Sequence, residues 1–171
     1  MKKRLKEWLP QRETLLRQRA LSAVAHLLHD ENLWHLNRRS VARGGAIGVF
    51  LAFMPILGQM PLAVVTAVFL RGNIPVALAL TWISNPFTAP PIFYGCYRLG
   101  QLLLGGYAAS EPYHFTVHWF LNNLTPLALG SLVAGTLAAL LTHFLLTQLW
   151  KADIQRRWQQ RRDHRTKTDP R

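Results

Sequence analysis

Charge is almost missing from the middle of this 171-residue chain, and negative charge is scarce throughout it. Between residues 44 and 150 the only basic residues are Arg71 and Arg98, and the only acid is Glu111. A water-facing helix needs a polar face, so this region is not patterned for solvent on its outside. Cysteine is reduced to Cys96, which excludes an intrachain disulfide. Residues 1–30 lack an uninterrupted apolar stretch of signal-peptide length, because Lys or Arg recurs up to Arg19. The N-terminus is therefore expected to be retained. Catalytic patterns are missing as well: no G-x-x-x-x-G-K loop, no H-E-x-x-H and no C-x-x-C. No serine has a His and an acid at a readable spacing, so the chain is expected to be non-enzymatic and to use no cofactor.

What is present is positive charge at the two ends. Lys and Arg number 20 against 8 Asp and Glu, with ten of the basic residues in 1–43 and eight in 151–171. A nucleic-acid-binding protein would cluster them on a folded module, and no such partner is expected. Basic residues flanking apolar spans instead match the cytoplasmic side of a membrane protein, where they meet anionic headgroups. The reading is a multi-pass protein with both termini in the cytoplasm, divided into three parts. Residues 1–43 form a basic amphipathic segment, 44–150 the membrane domain, and 151–171 a basic tail expected to be disordered. Within the first part, Leu16, Ala20, Val24, Leu27 and Leu28 recur at helical spacing between Gln11 and His29. Such a helix lies either in the membrane interface or against the protein's own cytoplasmic face.

The fold class is all-α, with three apolar units in the membrane domain. Residues 44–70 carry no charge over 27 positions, more than the roughly 20 a spanning helix needs, but Pro55, Gly58, Gln59 and Pro61 interrupt them. Residues 74–104 are interrupted at Asn85–Pro86 and again at Pro90–Pro91. Residues 126–150 are uninterrupted, with Thr125 as the expected N-cap. Gly130, Ser131, Ala134, Gly135 and Ala138 give this third unit a small-residue stripe, the expected seam of a homo-oligomer. Two cytoplasmic ends require an even number of crossings. One clean span then leaves one crossing and one re-entrant hairpin for residues 44–104, and the sequence does not decide between 44–70 and 74–104.

Each broken centre carries polar side chains: Gln59 in the first, Ser84, Asn85 and Thr88 in the second. Either both are kinked spans whose polar groups satisfy freed carbonyls, or both are hairpin tips meeting near the midplane. The second reading makes them a substrate site, with helix N-termini expected at Leu62 and Pro91 facing an anion. Gln59, Asn85, Thr88 and Arg98 would line it, while Arg38, Arg39 and Arg43 would hold acidic headgroups and fix topology. His114 and His118, four apart with Glu111 three residues before, would form a metal face on a helix, but their segment is aromatic and interfacial. His26, His29 and His35 near Asp30 and Glu31 are irregularly spaced, so no metal is expected. His143 is expected to hydrogen-bond a neighbouring helix.

Two stretches carry a family resemblance: HDENLWHLNRRSVARGGAIGVFLAFMPILGQMPLA and TWISNPFTAPPIFYGCYRLG. In them the arrangement Leu33-Trp34, Arg39-Ser40-Val41-Ala42, Gly44/Gly48, Pro55…Gly58-Gln59 and Asn85-Pro86…Pro90-Pro91…Tyr94…Gly100 resembles domain of unknown function 2062, an uncharacterised family of bacterial inner-membrane proteins. The resemblance covers roughly Leu28 to Leu104 and implies no activity. Members fused to glycosyltransferase modules imply work near envelope lipids or polyprenyl carriers. Leu57 departs from the family's P-x-P, which implies a looser first turn. The paired breaks also look like the architecture of DedA-type proteins, by analogy only. Two functions follow as expectations: translocation of an anionic or lipid-linked substrate, or a non-enzymatic scaffold recruiting a cytoplasmic enzyme such as a glycosyltransferase.

Overall fold

The computed structural model describes residues 33–56, 58–106 and 116–168, and all of their regular structure is helical. The expected amphipathic helix of residues 11–29, Leu57, Glu111 and His114 lie outside the described residues. Among the described residues six helices follow in order: α1 (Arg38–Phe53), α2 (Gln59–Phe69), α3 (Ile74–Thr81), α4 (Ala89–Leu103), α5 (Val117–Asn122) and α6 (Leu124–Thr168).

Proline positions explain where most of these helices start. Pro61 is the third residue of α2, Pro75 the second of α3, Pro90 and Pro91 the second and third of α4, and Pro126 the third of α6. The first four N–H groups of a helix have no intrahelical acceptor, so a proline there removes no bond and its fixed φ suits the turn. The interruptions are thus helix beginnings rather than kinks. Helices α2 and α4 start two or three residues earlier than the Leu62 and Pro91 expected from the sequence, because the prolines occupy the first turn instead of preceding it. Thr125 is likewise inside α6, and the Leu127 N–H donates to the Asn123 carbonyl at 3.1 Å.

The chain between Arg43 and Leu70 returns to where it began. Arg43 Nη1 donates to the Leu70 carbonyl at 3.3 Å. Gly44 sits so close to Asn73 that an added Cβ would lie 2.4 Å from the Asn73 carbonyl oxygen. Helices α1 and α2 therefore form a hairpin, and α3 sets out again from the Arg43 end. Beyond the second interruption α4 carries on, so residues 74–104 run from the Arg43 end of α1 to the Pro126 end of α6 while 44–70 do not.

Helix α6 is the rail along which the rest is stacked. Its Gly130 meets the Cys96 carbonyl of α4 and its Pro126 meets Gly100. Farther along, Gly135 lies against Phe50 and Phe53 near the end of α1, and Thr142 and Leu146 lie against Gly45 near its start. From residue 126 to 146 that is about 30 Å at 1.5 Å per residue. Helices α4 and α1 thus lie end to end on one side of α6, both antiparallel to it.

Two cores match the two halves. Ile47 and Leu51 of α1, Ala63, Val64, Ala67 and Val68 of α2, and Ile74, Ala77 and Leu78 of α3 bury one another, with Leu33 closing the end. Phe93, Cys96 and Tyr97 of α4, Trp119 of α5 and Leu127 of α6 form the second.

Residues Leu124–Gln155 of α6 are long and apolar enough to cross a membrane, and 22% of that apolar window is buried. Leu132, Leu137, Leu140, Leu141 and Leu145 are exposed. The small-residue stripe is occupied within the chain: Gly130 and Gly135 seat α4 and α1, and Ser131 is fully buried. The basic tail is not irregular as far as it is described; α6 continues to Thr168. Its Gln, Arg and Lys residues extend a helix already nucleated by the apolar part, and the next proline is Pro170.

Candidate functional site

The two interruptions meet. Met54 caps the end of α1, and its carbonyl accepts a 2.7 Å hydrogen bond from Gln59 Nε2. The other end of the same amide, Oε1, accepts from Ser84 Oγ at 3.1 Å. Gln59 can reach both because Gly58 turns the backbone through the left-handed region, φ 85°, which a Cβ would oppose. The junction lies beside Gly135, near the middle of the apolar part of α6, since the Met54 methyl packs there.

The second interruption is satisfied mostly within itself. Asn85 Oδ1 accepts from the Phe87 and Thr88 N–H groups at 2.9 and 3.1 Å, an Asx-turn. Thr88 Oγ1 accepts from the Asn85 N–H at 3.0 Å and donates to the Ile83 carbonyl. The turn pushes Phe87 outward to 89% exposure and leaves Trp82 and Ile83 exposed beside it.

The structure brings the expected site residues together only in part. Gln59 reaches Ser84, and Asn85 and Thr88 hold each other. Arg98 stands ten residues beyond Thr88, about 15 Å along α4, where Nη1 donates to the Tyr94 hydroxyl at 3.3 Å. Arg38, Arg39 and Arg43 occupy the first six positions of α1, where the helix dipole disfavours cations. The end of that helix is capped by Asn37, whose Oδ1 accepts from the Ser40 N–H at 2.8 Å. The three arginines therefore do no capping, and Arg43 instead reaches the Leu70 carbonyl. Among the described residues no group of His, Cys, Asp and Glu could hold a metal. His118 Nδ1 lies 3.3 Å from the Asn122 amide nitrogen.

Sequence reasoning passed over Asn73, which lies between the two interrupted segments. Asn73 is fully buried; its N–H donates to the Ser40 carbonyl at 2.8 Å and its Nδ2 to the His35 carbonyl at 3.2 Å. Its Oδ1 caps α3 by accepting from the Val76 N–H at 3.1 Å. The signal was there: Asn followed by Ile-Pro is an N-cap with proline in the first turn. His143 was expected to bond a neighbouring helix; it instead lines an open groove with Arg43 and Arg71.

Fold and junction together define a class: an all-helical protein on one long apolar helix, with two interrupted apolar segments meeting near that helix's middle. The chain belongs to the DUF2062 family, described as an uncharacterized protein conserved in bacteria, whose profile matches residues 21–159. No curated protein and no solved structure matches it.

Proposed function

We propose that this is a multi-pass protein of the bacterial inner membrane that translocates an anionic or lipid-linked substrate. In this reading α6 is one crossing, residues 74–104 are the second, and the α1–α2 hairpin is re-entrant from the cytoplasmic side. The exposed leucines of α6 face lipid, and the arginines at the start of α1 meet acidic headgroups. The observation that carries the reading is the Gln59–Ser84 junction. Irregular backbone at mid-depth survives only where protein or water satisfies it, and such paired interruptions accompany substrate sites in transporters. Helices α2 and α4 both begin at these interruptions, with their positive ends beside the polar side chains. Arg98, paired with Tyr94, stands on the outward path.

Complementation of a deletion strain tests this. Gln59→Ala with Ser84→Ala, and Arg98→Ala, should insert normally yet fail to restore the deletion phenotype. Full rescue by both would remove the translocation site.

One observation favours a scaffold instead: α6 projects 18 residues past Trp150, about 27 Å, as a basic helix. A helix of that reach could dock a cytoplasmic enzyme. Loss of function on deleting 152–168 alone, with the junction variants fully active, would select that reading.

A further inference from the structure

A groove of about 470 Å³ opens between α1, the turn joining α2 to α3, and α6. Its walls combine two kinds of surface. Ala46, Ile47 and Phe69 are apolar, and Phe69 is 70% exposed. Arg43, Arg71 and His143 bring nitrogen donors from three separate elements to the same opening. Arg43 spends one N–H on the Leu70 carbonyl, and a guanidinium has five. Asp153 is the sole acid whose side chain is described, and it sits ten residues past His143, about 15 Å along α6. Among the described residues, then, two cations face an apolar groove and no carboxylate lines it. Arg71 holds a left-handed backbone, φ 51°, at the tip of the turn. His143 stands seven residues before Trp150, about 10 Å inward of the Trp150–Lys151 boundary, within reach of a headgroup for long side chains.

We propose that this groove binds one anionic phospholipid, its phosphate held by Arg43 and Arg71 with His143 as a further donor, and an acyl chain laid along Ala46, Ile47 and Phe69. Charge and shape both favour that occupant: guanidinium forks match phosphate oxygens, and basic pockets between helices on the cytoplasmic side suit anionic headgroups. A free phosphate would use the same donors but would leave the apolar wall uncovered. The inference rests on the membrane reading above and adds a specific lipid site to it.

The test uses the full chain purified in neutral detergent and titrated with phosphatidylglycerol or phosphatidylcholine, with bound lipid read by native mass spectrometry. Phosphatidylglycerol should be retained in preference. Arg71→Asn, which suits the left-handed backbone, should weaken that preference about tenfold. Lys151→Gln, which removes an equal charge from the nearby boundary, should leave it unchanged. Inorganic phosphate added as competitor should not displace the lipid. Equal retention of both lipids, equal loss with Lys151→Gln, or full displacement by inorganic phosphate would each overturn the site. Carbonate washing of cell membranes separates the two claims. Release of the protein sinks the membrane reading and this inference with it, whereas a protein that resists carbonate yet shows no lipid preference sinks the groove alone.

Discussion

The two halves stacked on α6 solve the same problem differently. In the first, three short helices close on one another through Gly44 and Gly48, against the Asn73 and Ala77 backbones, and bury a satisfied polar side chain. In the second, α4 and α6 close through Gly100 and Gly130 and bury aromatic rings, with Tyr97 edge-on to Trp119 at 5.0 Å and Phe93 edge-on to Phe120 at 5.9 Å. The buried apolar core of the first half comes from its own three helices and Leu33, while the outer face of α1 also packs on α6 at Gly45 and Gly135. The second takes Leu127 of α6 into its core. The comparison teaches that the helices of 38–81 build one apolar core of their own while α4, α5 and α6 build a second, and that the junction of the interruptions is where the two are joined.

The largest effects should come from filling the glycine seams. An added Cβ would lie 1.7 Å from the Pro126 carbonyl at Gly100 and 2.3 Å from the Ala77 carbonyl at Gly48. Backbone cannot yield as a flexible side chain does, so Gly100→Ala and Gly48→Ala should each lose about 3 kcal/mol or more by thermal unfolding in detergent. Because they belong to different halves, their combined effect should be additive within about 0.5 kcal/mol. Strong coupling between them would break the division into halves.

Asn73→Ala comes next. It removes the cap of α3 and the side-chain bond to the His35 carbonyl, which keeps the Ser40 hydroxyl and the Asn37 N–H as donors, a loss of about 2 kcal/mol. The damage should be confined to the first half. Hydrogen exchange should speed up in α1–α3 and stay slow in α4, and acceleration along α4 would contradict the separation.

Gln59→Ala should cost least, about 1 kcal/mol, as a part-buried neutral amide exchanging two hydrogen bonds. If the junction joins the halves, Gln59→Ala and Ser84→Ala should be non-additive, because either one deletes the shared bond. Simple additivity would mean that the pair is adjacent but not coupled.

Much of this was legible in the sequence. Both interruptions, their polar side chains, the apolar length of α6 and the all-α class follow from composition and from Pro and Gly placement. The direction of travel was not, because charge flanks constrain only the ends of a chain and are silent about a hairpin between them. That Gln59 would meet Ser84 while Asn85 and Thr88 turn inward on themselves depends on tertiary geometry, and residue type alone says only that each can hydrogen-bond. The stripe at 130–138 was read as a seam between copies, since small residues permit any close helix, and α1 and α4 of the same chain take that place. Basic composition suggested an irregular tail, yet helix propensity from a nucleated span carries α6 on to Thr168.

The central claim is that residues 44–70 return to their starting side while 74–104 cross. Gly72 is a poor reporter because an added Cβ would meet Ile47 and Gly44, so the exposed neighbour Arg71 serves instead, with Asn122 of α5 as its counterpart. In a Cys96→Ala background, single cysteines at these positions are labelled with a membrane-impermeant maleimide in intact and in inverted vesicles. The account predicts that position 71 reacts only from the cytoplasmic side and position 122 only from the opposite side. Reaction of position 71 from the outer side would contradict it.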